Sequence, residues 1–183
     1  MRKIMAGLFM TLDGVCEAPD KWSMPYFNEE VGAIIGANMA RSDAMLLGRR
    51  TYEEWADYWP GKTEADDPFA GYINTVPKFV PTTTLETATW EGTTLLKGDF
   101  RREITGLKEQ EGKDIAISGS ITLVGSLLKE GLLDELALLV SPIVVGKGKR
   151  LFQTDESPVG LKLDDSKTLS NGVLSLTYGR ADA

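Results

Sequence analysis

The sequence predicts an α/β layer fold in one domain, and three observations support this prediction. Strand-like and helix-like segments alternate along most of the chain, as they do in layered α/β proteins. A length of 183 residues, with 42% hydrophobic and 26% charged residues, suits one compact domain with a core and a pocket. The last third changes to strand-like segments joined by turn signals. We therefore expect one domain over residues 1–183, with mostly antiparallel strands in its C-terminal third.

The first elements are a strand and a helix joined by a loop. Residues 3–12 form the first predicted strand, and Asp13 and Gly14 give a turn signal after it. The loop that follows brings Pro25 to the head of the first predicted helix, because proline suits the first helical position. Apolar residues then recur at helical spacing, namely Val31, Ile34, Ile35 and Met39.

A second strand and helix follow directly. The apolar run at 44–48 predicts a strand that leads into a helix at 51–59 (TYEEWADYW), which a Pro-Gly pair ends. The next 16 residues are polar and are predicted to form a loop. Short strands are predicted at 77–80 and 94–97.

A third unit repeats the order of strand, small residues and helix. The spacing of Phe100, Ile104 and Leu107 predicts a helix, and residues 114–117 predict a short buried strand. The triplet SGS then opens an amphipathic helix, which Gly131 can close as a C-cap. The apolar positions of this helix are Ile121, Val124, Leu127 and Leu128.

The C-terminal third is predicted to be one long strand and a hairpin. Residues 135–146 (ELALLVSPIVVG) have the pattern of a long apolar strand, and a GKG turn follows. Segments 161–169 and 172–179 flank Asn171 and Gly172, a pair that favours tight turns between antiparallel strands.

The composition excludes several classes of function. A formal net charge of -7 repels polyanions, so no nucleic-acid partner is expected. The sequence contains no histidine, which excludes Ser-His-Asp and Cys-His nucleophile systems and the common His-based zinc sites. We predict no metal site. No apolar run reaches the roughly 18 residues of a membrane span, so no membrane partner is expected.

The start of the chain and its single cysteine favour a cytoplasmic protein. The opening stretch MRKIMAGLFMTLDG predicts a strand and not a signal peptide, because its apolar part is short and lacks a small-residue cleavage site. Cys16 is the one cysteine, so no intramolecular disulfide can form, and no neighbouring residue is expected to activate its thiol.

Two predicted strands end at turns that could bind phosphate. At such turns α/β folds present backbone N–H groups and the positive end of a helix to anions. After Gly48, Arg49 and Arg50 add positive charge, and Thr51 can cap the helix or bond a phosphate oxygen. The alternative is that the two arginines form surface ion pairs with glutamates of the next turn, Glu53 or Glu54.

The second turn is the segment 118–124 (SGSITLV). It is too short to match the P-loop or the full Rossmann glycine pattern. Gly119 by itself can serve a tight turn, with Ser120 or Thr122 as the N-cap of the helix. Two such turns in one small sheet could instead grip the two ends of one pyrophosphate.

Five segments carry a family resemblance that extends over nearly the whole chain. They are LDG at 12–14, LLGRRTYE at 46–53, KFVPTTTL at 78–85, DIAISGSITLV at 114–124 and GLLDELALLVSPIVVGKGKRLF at 131–152. In this order they resemble the dihydrofolate reductase-like superfamily. The likeness is greatest to the reductase domain of the bifunctional riboflavin-biosynthesis deaminase-reductase and to stand-alone bacterial proteins built like it. The resemblance implies a three-layer α/β fold with a mostly parallel central sheet, a C-terminal antiparallel hairpin, flanking helices and NADPH as hydride donor.

The same resemblance implies which residues bind the cofactor. The phosphates would lie between the two turns, formed by Gly48, Arg49, Arg50 and Thr51 on one side and by Ser118, Gly119, Ser120, Ile121 and Thr122 on the other. Thr82 and Thr83 would lie near the adenosine ribose and its 2′-phosphate. Ala6 and Val15 would place backbone groups against the nicotinamide carboxamide.

Three positions depart from the dihydrofolate reductase pattern. Phe27 stands where those enzymes place a carboxylate two residues after the proline of a W-x-x-P loop, so efficient folate reduction is not expected. The glycine pair of the second turn is Ser118-Gly119 here, which leaves open whether this peptide bond is cis. Pro81 replaces a polar residue near the ribose phosphate and removes an N–H donor, so the sequence does not guarantee a preference for NADPH over NADH.

A substrate pocket is expected between the first helix and the helix at 51–59. Aromatic side chains would form its walls, because flat heteroaromatic rings stack on aromatic faces. The alternative for each aromatic candidate is that it packs in the core. The candidates are Trp22, Phe27 and Trp55, followed by Tyr26 and Tyr58.

The simplest role for Asp13 is to shape the turn in which it lies. A direct substrate or catalytic role is its alternative, since the matching loop borders the nicotinamide in riboflavin-type reductases. Asp134 and Glu135 are expected to fix the following strand or an interface.

These residues favour an NADPH-dependent reductase of a small heterocyclic substrate (pterin-like, pyrimidine or flavin-precursor) or of a carbonyl compound. Such an enzyme needs no histidine, because the proton can come from water. One alternative is reduction of the ribosylamino-pyrimidine of riboflavin synthesis together with a separate deaminase, since no deaminase zinc signature is present. Another is a non-catalytic dinucleotide-binding or redox-sensing module. The apolar VSPIVV and VLSLTY segments suggest a homodimer that uses the hairpin face.

Overall fold

The computed structural model describes residues 1–152 and 158–181. Its strands are β1 (Ile4–Thr11), β2 (Ser42–Leu46), β3 (Lys78–Pro81), β4 (Thr93–Leu96), β5 (Asp114–Ser118), β6 (Glu135–Ser141), β7 (Leu161–Thr168) and β8 (Leu174–Arg180). Its α-helices are α1 (Glu29–Arg41), α2 (Arg49–Tyr58), α3 (Ala70–Thr75), α4 (Phe100–Glu109) and α5 (Ile121–Lys129). Short 3-10 turns lie at Pro19–Lys21 and Met24–Tyr26.

The eight strands form one sheet in the order β4-β3-β2-β5-β1-β6-β8-β7. The first six strands of this order are parallel, and β8 and β7 pair antiparallel to their neighbours. The mostly parallel sheet with a C-terminal antiparallel hairpin is therefore confirmed. The connection from β1 to β2 leaves room for one strand between them in the sheet, and β5 occupies that place. This topology opens a crevice at the carboxyl ends of β1, β5 and β2.

Alternation along β1 creates the three layers, because successive side chains of a strand point to opposite faces of the sheet. Its residues Ile4, Ala6 and Leu8 join the main core, to which α4 and α5 contribute Ile104, Leu107, Val124 and Leu127. On the opposite face, Phe9 of β1 packs with α1 in a smaller cluster whose buried members are Val31, Leu139, Leu169 and Val173. A third cluster surrounds α2 and α3 and includes Tyr52, Trp59, Ile73 and Trp90.

Helix α1 begins at Glu29, four residues later than the proline signal predicted. Pro25 lies inside the 3-10 turn Met24–Tyr26, so its predicted place at the head of the helix is wrong. The cap is Asn28, whose side-chain oxygen accepts the N–H of Val31 at 3.0 Å. Glu29 and Glu30 follow in the first turn, where negative charge suits the positive end of the helix dipole.

Two other predictions need correction. The 16 residues predicted as loop after α2 contain the six-residue helix α3, which buries Ala70 and Ile73. The long strand predicted at 135–146 ends at Ser141, and Pro142, which has no N–H to donate to a ladder, follows it. Within 1–152 and 158–181, none of the helices has both the length and the apolar character that crossing a bilayer requires.

Asp134 and Glu135 fix the start of β6. This is the first of the two roles predicted for them, which were to fix the following strand or to form an interface. One carboxylate oxygen of Asp134 accepts the N–H of Ile4 at 2.8 Å and lies 2.6 Å from the ammonium of Lys108, which also donates to the other oxygen at 2.8 Å. Glu135 pairs with Arg41 at 2.9 Å. These bonds lie at the amino ends of the parallel strands, opposite the crevice.

Candidate functional site

A cleft of about 1470 Å³ lies at the carboxyl ends of the parallel strands. Its floor is the middle of β1, residues 7–9. Its walls are the two predicted phosphate turns, the loop at 16–20 after β1 and the segment 81–84 after β3. The topology therefore brings together four segments that are far apart in the sequence.

Two hydrogen bonds join the phosphate turns to each other. The N–H of Gly48 donates to the hydroxyl oxygen of Ser120 at 2.9 Å, and the N–H of Ser120 donates to the hydroxyl oxygen of Thr51 at 3.1 Å. Ser120 occupies the N-cap position of α5, but its side chain makes no capping bond. The hydroxyls of Ser120 and Thr51 thus hold the N-termini of α2 and α5 side by side.

The backbone of the second turn is left-handed at two consecutive residues. Gly119 has φ of 61° and Ser120 has φ of 55°, a region that costs a residue with a side chain about 1–2 kcal/mol. The Ser118-Gly119 peptide bond is trans. A Cβ atom on Gly119 would lie 3.4 Å from Cγ2 of Thr51, so the close approach of the two turns also favours glycine here. Such strain is common where a turn must present its backbone to a ligand.

The joined helix ends are suited to bind an anion. The first N–H groups of an α-helix have no acceptor inside the helix, and they carry the positive end of its dipole. Residues 49–51 of α2 and 121–123 of α5 line the same cleft. The two sets of N–H groups therefore give this end of the cleft a positive potential, and we call it the anion end.

Charged side chains at the start of α2 add to this potential. Arg49 pairs with Glu53 at 2.8 Å, as the ion-pair alternative predicted for it. Arg50 is exposed and lines the cleft, and its side chain forms no hydrogen bond or ion pair with another described residue. Two arginines in a first turn oppose the helix dipole, and each such unfavourable charge costs roughly 0.3–1 kcal/mol. Their placement reduces helix stability and favours anion binding.

Lys149 is a third cation at the anion end, and its position there was not predicted from the sequence. Its ammonium donates to the hydroxyl of Thr122 on α5. Its backbone N–H donates to the carboxylate of Glu17 at 2.8 Å, and its carbonyl accepts the N–H of Cys16 at 3.0 Å. The segment 149–151 therefore pairs with the loop after β1. The run GKGKR was the only sequence signal for this contact.

The two predicted ribose-binding threonines differ in their environment. The hydroxyl of Thr82 accepts the N–H groups of Thr84 at 3.2 Å and Leu85 at 3.0 Å, so it stabilises its own loop. Thr83 is exposed and lines the cleft. Glu103 of α4 also lines this part of the cleft and accepts the N–H of Gly98 at 3.2 Å.

The cleft contains two of the five aromatic residues predicted to bind substrate. Trp55 lines it and packs edge to face on Trp59, with ring centres 5.8 Å apart. Tyr58 lines it and is 56% exposed. Both rings stand on α2, beyond the anion end.

The other three aromatic candidates lie outside the lining of the cleft. Trp22 is buried, and its indole N–H donates to the carbonyl of Glu17 at 3.0 Å, so it anchors the loop after β1. Tyr26 packs against the cluster between α1 and the hairpin. Phe27 is 40% exposed beside α1. For Trp22 and Tyr26 the structure shows the packing role that was their alternative.

The residues predicted beside the nicotinamide lie at the edge of the cleft floor. The side chain of Ala6 belongs to the core, and its neighbour Gly7 lines the cleft. Val15 is fully buried; its N–H donates to the hydroxyl of Thr11 at 2.9 Å, and its carbonyl accepts the N–H of Thr11 at 2.9 Å. Both backbone groups of Val15 thus close the turn after β1.

Asp13 shapes the turn after β1. Its carboxylate accepts the hydroxyl of Thr11 at 2.7 Å and the N–H groups of Gly146 at 2.9 Å and Val145 at 3.3 Å. These bonds, with that of Thr11 first, hold the pKa of Asp13 below its ordinary value. The carboxylate is therefore ionised at neutral pH and ties two loops together outside the lining of the cleft.

Besides Glu103, four carboxylates line the cleft that were not predicted as site residues. They are Glu17, Asp20, Glu54 and Asp67, and Glu17 lies at the anion end, because it accepts the N–H of Lys149. No spacing links them, because they come from the loop after β1, from α2 and from the segment before α3. Their charge is opposite to that of the anion end.

The chain is similar to an uncharacterized bacterial protein and to a solved structure whose name refers to riboflavin biosynthesis. It is 28% identical over 182 residues to the uncharacterized protein YyaP of Bacillus subtilis (strain 168), and the match covers 97% of this chain and 94% of that one. The crystal structure of a putative riboflavin biosynthesis protein from Shewanella sp. PV-4 superposes with a TM-score of 0.79 at 24% identity, over 98% of this chain and 99% of that one.

A bifunctional enzyme has the same fold in part of its length. The diaminohydroxyphosphoribosylaminopyrimidine deaminase/5-amino-6-(5-phosphoribosylamino)uracil reductase of Thermotoga maritima matches with a TM-score of 0.69 at 14% identity, over 98% of this chain and 57% of that one. The fold is dihydrofolate reductase-like, as predicted. Because the sequence profile of the RibD C-terminal domain matches residues 2–175, the chain belongs to the RibD C-terminal domain family.

Proposed function

We propose that the protein is an NADPH-dependent reductase of a small heterocyclic or carbonyl compound, of the pyrimidine reductase-like kind. The observation that carries this proposal is the start of α2. There Arg49 and Arg50 oppose the helix dipole, while the N–H of Gly48 holds this helix end against the N-terminus of α5. An arrangement that weakens a helix and concentrates positive charge in a cleft is expected at a functional site.

The residues present fit a dinucleotide. Its pyrophosphate would lie at the anion end, against the N–H groups of 49–51 and 121–123, with Arg50 and Lys149 as cations. A Cβ atom built on Gly7 meets no atom within 4 Å, so the floor above β1 has room for a flat ring. Thr83 would face the ribose. When bound, NADPH supplies the hydride for the reduction.

The residues of the chain bind and orient the acceptor. The chain holds the acceptor over β1 beside Trp55 and Tyr58, whose faces favour stacking with a flat ring. The acceptor gains one hydride and one proton, and water supplies the proton, so no histidine is needed. Asp13 positions the loop after β1 through its bonds to the 145–146 backbone and is not assigned a proton transfer. The chain's contribution is the orientation of the hydride donor and the acceptor.

Reduction of the ribosylamino-pyrimidine of riboflavin synthesis is the second candidate. It is favoured by the fold shared with the Thermotoga maritima deaminase/reductase, of which this chain covers 57%. A non-catalytic dinucleotide-binding module is the remaining candidate. Only the two enzyme candidates oxidise NADPH when an acceptor is present.

A titration tests the proposed function directly. Purified protein is titrated with NADPH and separately with NADH, following quenching of the four tryptophans and energy transfer to the nicotinamide. We expect micromolar binding of NADPH and weaker binding of NADH. Absence of binding of both dinucleotides would refute the proposal, and binding without turnover on pterins, flavin precursors, quinones and simple carbonyls would favour the binding module.

A further inference from the structure

A glycine lies in the middle of β1, a strand that is paired on both sides. Gly7 lies opposite Ser118 of β5 and Ala137 of β6. Inside a strand, glycine lowers stability relative to alanine, because it loses more backbone freedom on folding and has no side chain to pack. Large side chains occupy the adjacent positions on the same face of β1, Met5 and Phe9. Gly7 is therefore unusual for its place in the sheet.

The fold does not require this glycine. The φ angle of Gly7 lies outside the left-handed region, unlike that of Gly119, which is 61°. The register with β5 and β6 continues past Gly7 without a bulge. A Cβ atom built on Gly7 would meet no atom of the described residues within 4 Å, whereas one built on Gly48 would lie 3.4 Å from Ser120. Alanine would thus suit both the backbone and the packing at this position.

The open space over Gly7 belongs to the cleft. Gly7, Phe9 and Ser118 all line it. Paired residues of parallel strands point to the same face of the sheet, so Gly7 and Ser118 present one hydrogen and one small side chain at the same level. We call this space, bounded by Gly7, Ser118 and Phe9, the slot.

A glycine that the fold does not need, placed in a strand that lines a cleft, indicates close approach of a ligand to the backbone. Van der Waals contact requires a separation of about 3.5–4.0 Å between carbon atoms. A side chain at position 7 would hold a ligand farther from β1 by about 1.5 Å, the length of one carbon–carbon bond. The ligand that gains most from a bare stretch of backbone is a flat ring, because its whole face can make contact.

The slot also lies within reach of the anion end. Neighbouring strands are about 4.8 Å apart, so Gly7 is one strand spacing from Ser118, where the second phosphate turn begins. A ring joined through a sugar to a phosphate at that turn would reach the slot, and so would the ring of a second molecule that reacts with it. Hydride transfer requires the two reacting rings to be in contact.

We infer that Gly7 is a specificity-determining residue, because its missing side chain lets a flat ring of the hydride-transfer pair lie directly on the backbone of β1. The inference rests on the proposed function, since it assigns the slot to the nicotinamide or to the ring of the acceptor. A displacement of reacting atoms by about 1 Å can lower a rate about hundredfold, so even one methyl group at this position should matter.

Thermal unfolding separates this role from a role in folding. The variants are Gly7→Ala, Gly7→Val and the control Gly106→Ala. Gly106 is exposed on α4, does not line the cleft, and would also give a Cβ atom open space. Gly106→Ala should raise the thermal midpoint, since alanine is the better helix former, and Gly7→Ala should not lower it. A lower midpoint for Gly7→Ala would show that the glycine serves the fold and would overturn the inference.

Binding of two probes tests whether the nicotinamide occupies the slot. The probes are NADP⁺ and 2′-phospho-ADP-ribose, which is NADP⁺ without its nicotinamide, and each is measured by isothermal titration calorimetry. With the nicotinamide in the slot, Gly7→Val should weaken NADP⁺ at least about tenfold and 2′-phospho-ADP-ribose less than about twofold. Gly7→Ala should have a smaller effect in the same direction, and Gly106→Ala should change neither probe.

Turnover tests whether the acceptor occupies the slot instead. The acceptor probes are menadione and riboflavin, and NADPH oxidation is followed by absorbance. With the acceptor ring in the slot, Gly7→Val should leave NADP⁺ binding within about twofold and lower kcat/KM for the acceptor at least about tenfold. Equal weakening of NADP⁺ and 2′-phospho-ADP-ribose would overturn the inference. So would unchanged NADP⁺ binding together with unchanged kcat/KM, or with no turnover of either acceptor by the wild type.

Failure of the proposed function is recognised separately, from the wild-type protein alone. If the wild type binds neither NADP⁺ nor NADPH, the proposed function fails, and the assignment of the slot to the hydride-transfer pair fails with it. If the wild type binds the dinucleotides and oxidises NADPH while the Gly7 variants match it in every measurement, only the inference about Gly7 fails.

Discussion

Arg50 is the side chain on which the proposed binding of an anion in the cleft would depend most directly. It lines the cleft and forms no bond with another described residue, whereas Arg49 already pairs with Glu53. A charge-assisted contact contributes roughly 1.5–3 kcal/mol. Arg50→Ala should therefore weaken NADPH binding about tenfold to hundredfold, and Arg49→Ala should weaken it less.

Isothermal titration calorimetry of both variants measures this difference, with circular dichroism to verify the fold. The thermal midpoint of Arg50→Ala should not fall, because the substitution removes a charge that opposes the dipole of α2. An unchanged dissociation constant for Arg50→Ala would show that this side chain points to solvent when the dinucleotide is bound.

Lys78 is a fully buried lysine on β3 with a chemically defined environment. Its ammonium donates to the carbonyl of Val76 at 2.9 Å and lies 4.2 Å from the centre of the Trp90 ring. Burial lowers the pKa of Lys78 from 10.5 to about 8. Below pH 8 the folded and unfolded states both hold the proton, and between pH 8 and 10.5 only the unfolded state keeps it.

The free energy of unfolding should therefore rise with pH through this window, because stability increases wherever the unfolded state binds more protons. Lys78→Met keeps the length of the side chain and removes the titration. Urea unfolding of wild type and Lys78→Met at pH 7.5 and 10 measures the effect: only the wild type should gain stability from this group. Equal pH dependence in the two proteins would contradict a lowered pKa for Lys78.

At the scale of elements, Glu30 connects the start of α1 to the turn between β7 and β8. Its carboxylate accepts the N–H of Ser170 at 2.8 Å and the Ser170 hydroxyl, and Lys167 lies 3.5 Å away. These contacts, the Ser170 hydroxyl first, lower the pKa of Glu30 from 4.5 to about 2. The stabilisation is present above pH 4.5 and is lost as the pH falls towards 2.

Glu30→Gln should consequently lower the thermal midpoint at pH 7 and have a smaller effect near pH 3. Thermal unfolding followed by circular dichroism between pH 3 and 7 tests this expectation. The matched control is Glu29→Gln, which removes the same charge from the first turn of α1 at a residue without a bond to the hairpin. Equal pH profiles for the two variants would refute the special role of Glu30.

The long periodic elements could be predicted from the sequence, and the short ones could not. Helices α4 and α5 and strands β1 and β5 have apolar residues at regular spacing, so their type follows from local pattern. Helix α3 has six residues and is held by packing of Ala70 and Ile73, which is a tertiary effect. The proline signal at Pro25 was overridden by the stronger cap at Asn28.

The parts of the candidate site that consist of residues close together in the sequence could be predicted. The strand ends before α2 and α5 combine small residues with polar ones, and this pattern located both turns that line the cleft. Lys149 and Glu17 were missed because their relation is created by topology: the two residues are bonded across 132 positions of the chain. Trp22 and Tyr26 were assigned to substrate because sequence alone cannot separate an aromatic wall from an aromatic core.

At the scale of the whole molecule, the charged residues that stabilise the fold and those that line the cleft lie at opposite ends of the parallel strands. Ion pairs of Arg41, Lys108, Asp134 and Glu135 lie at the amino ends of the parallel strands, where they fix β1 and β6. The cleft lies at the opposite ends, and its basic lining residues Arg49, Arg50 and Lys149 lie there beside the N-termini of α2 and α5. An acidic protein can thus hold an anion, because the binding groups are concentrated at one strand edge.

The sheet also determines how two copies of the chain could associate. Strand β7 is an edge with a register shift between Leu163 and Asp165, and it is rich in charge. Its charged residues are Lys162, Asp164, Asp165 and Lys167. Bulges and charges of this kind prevent edge-to-edge pairing. We therefore expect the predicted homodimer to use a face of the hairpin and not its edge.

One hairpin face is apolar and continuous with the core. Leu163 lies opposite Tyr178, and Tyr178 lies opposite Leu136 of the main core, so these side chains share one face of the sheet. Towards the outer strand this face remains uncovered: Leu163 is 50% exposed and Leu174 is 38% exposed. A second copy placed on this face would bury both leucines.

We predict a homodimer at micromolar concentration and its dissociation by the double substitution Leu163→Asp and Leu174→Asp. Burying a leucine stabilises an interface by about 1.5–3 kcal/mol, and a buried unpaired carboxylate reverses that gain. Sedimentation equilibrium should give the mass of two chains for wild type and of one chain for the variant. Asp165→Lys, on the opposite face of β7, is the control and should remain dimeric. A wild-type protein that sediments as a single chain at these concentrations would reject the dimer, and a dimeric double variant would place the interface elsewhere.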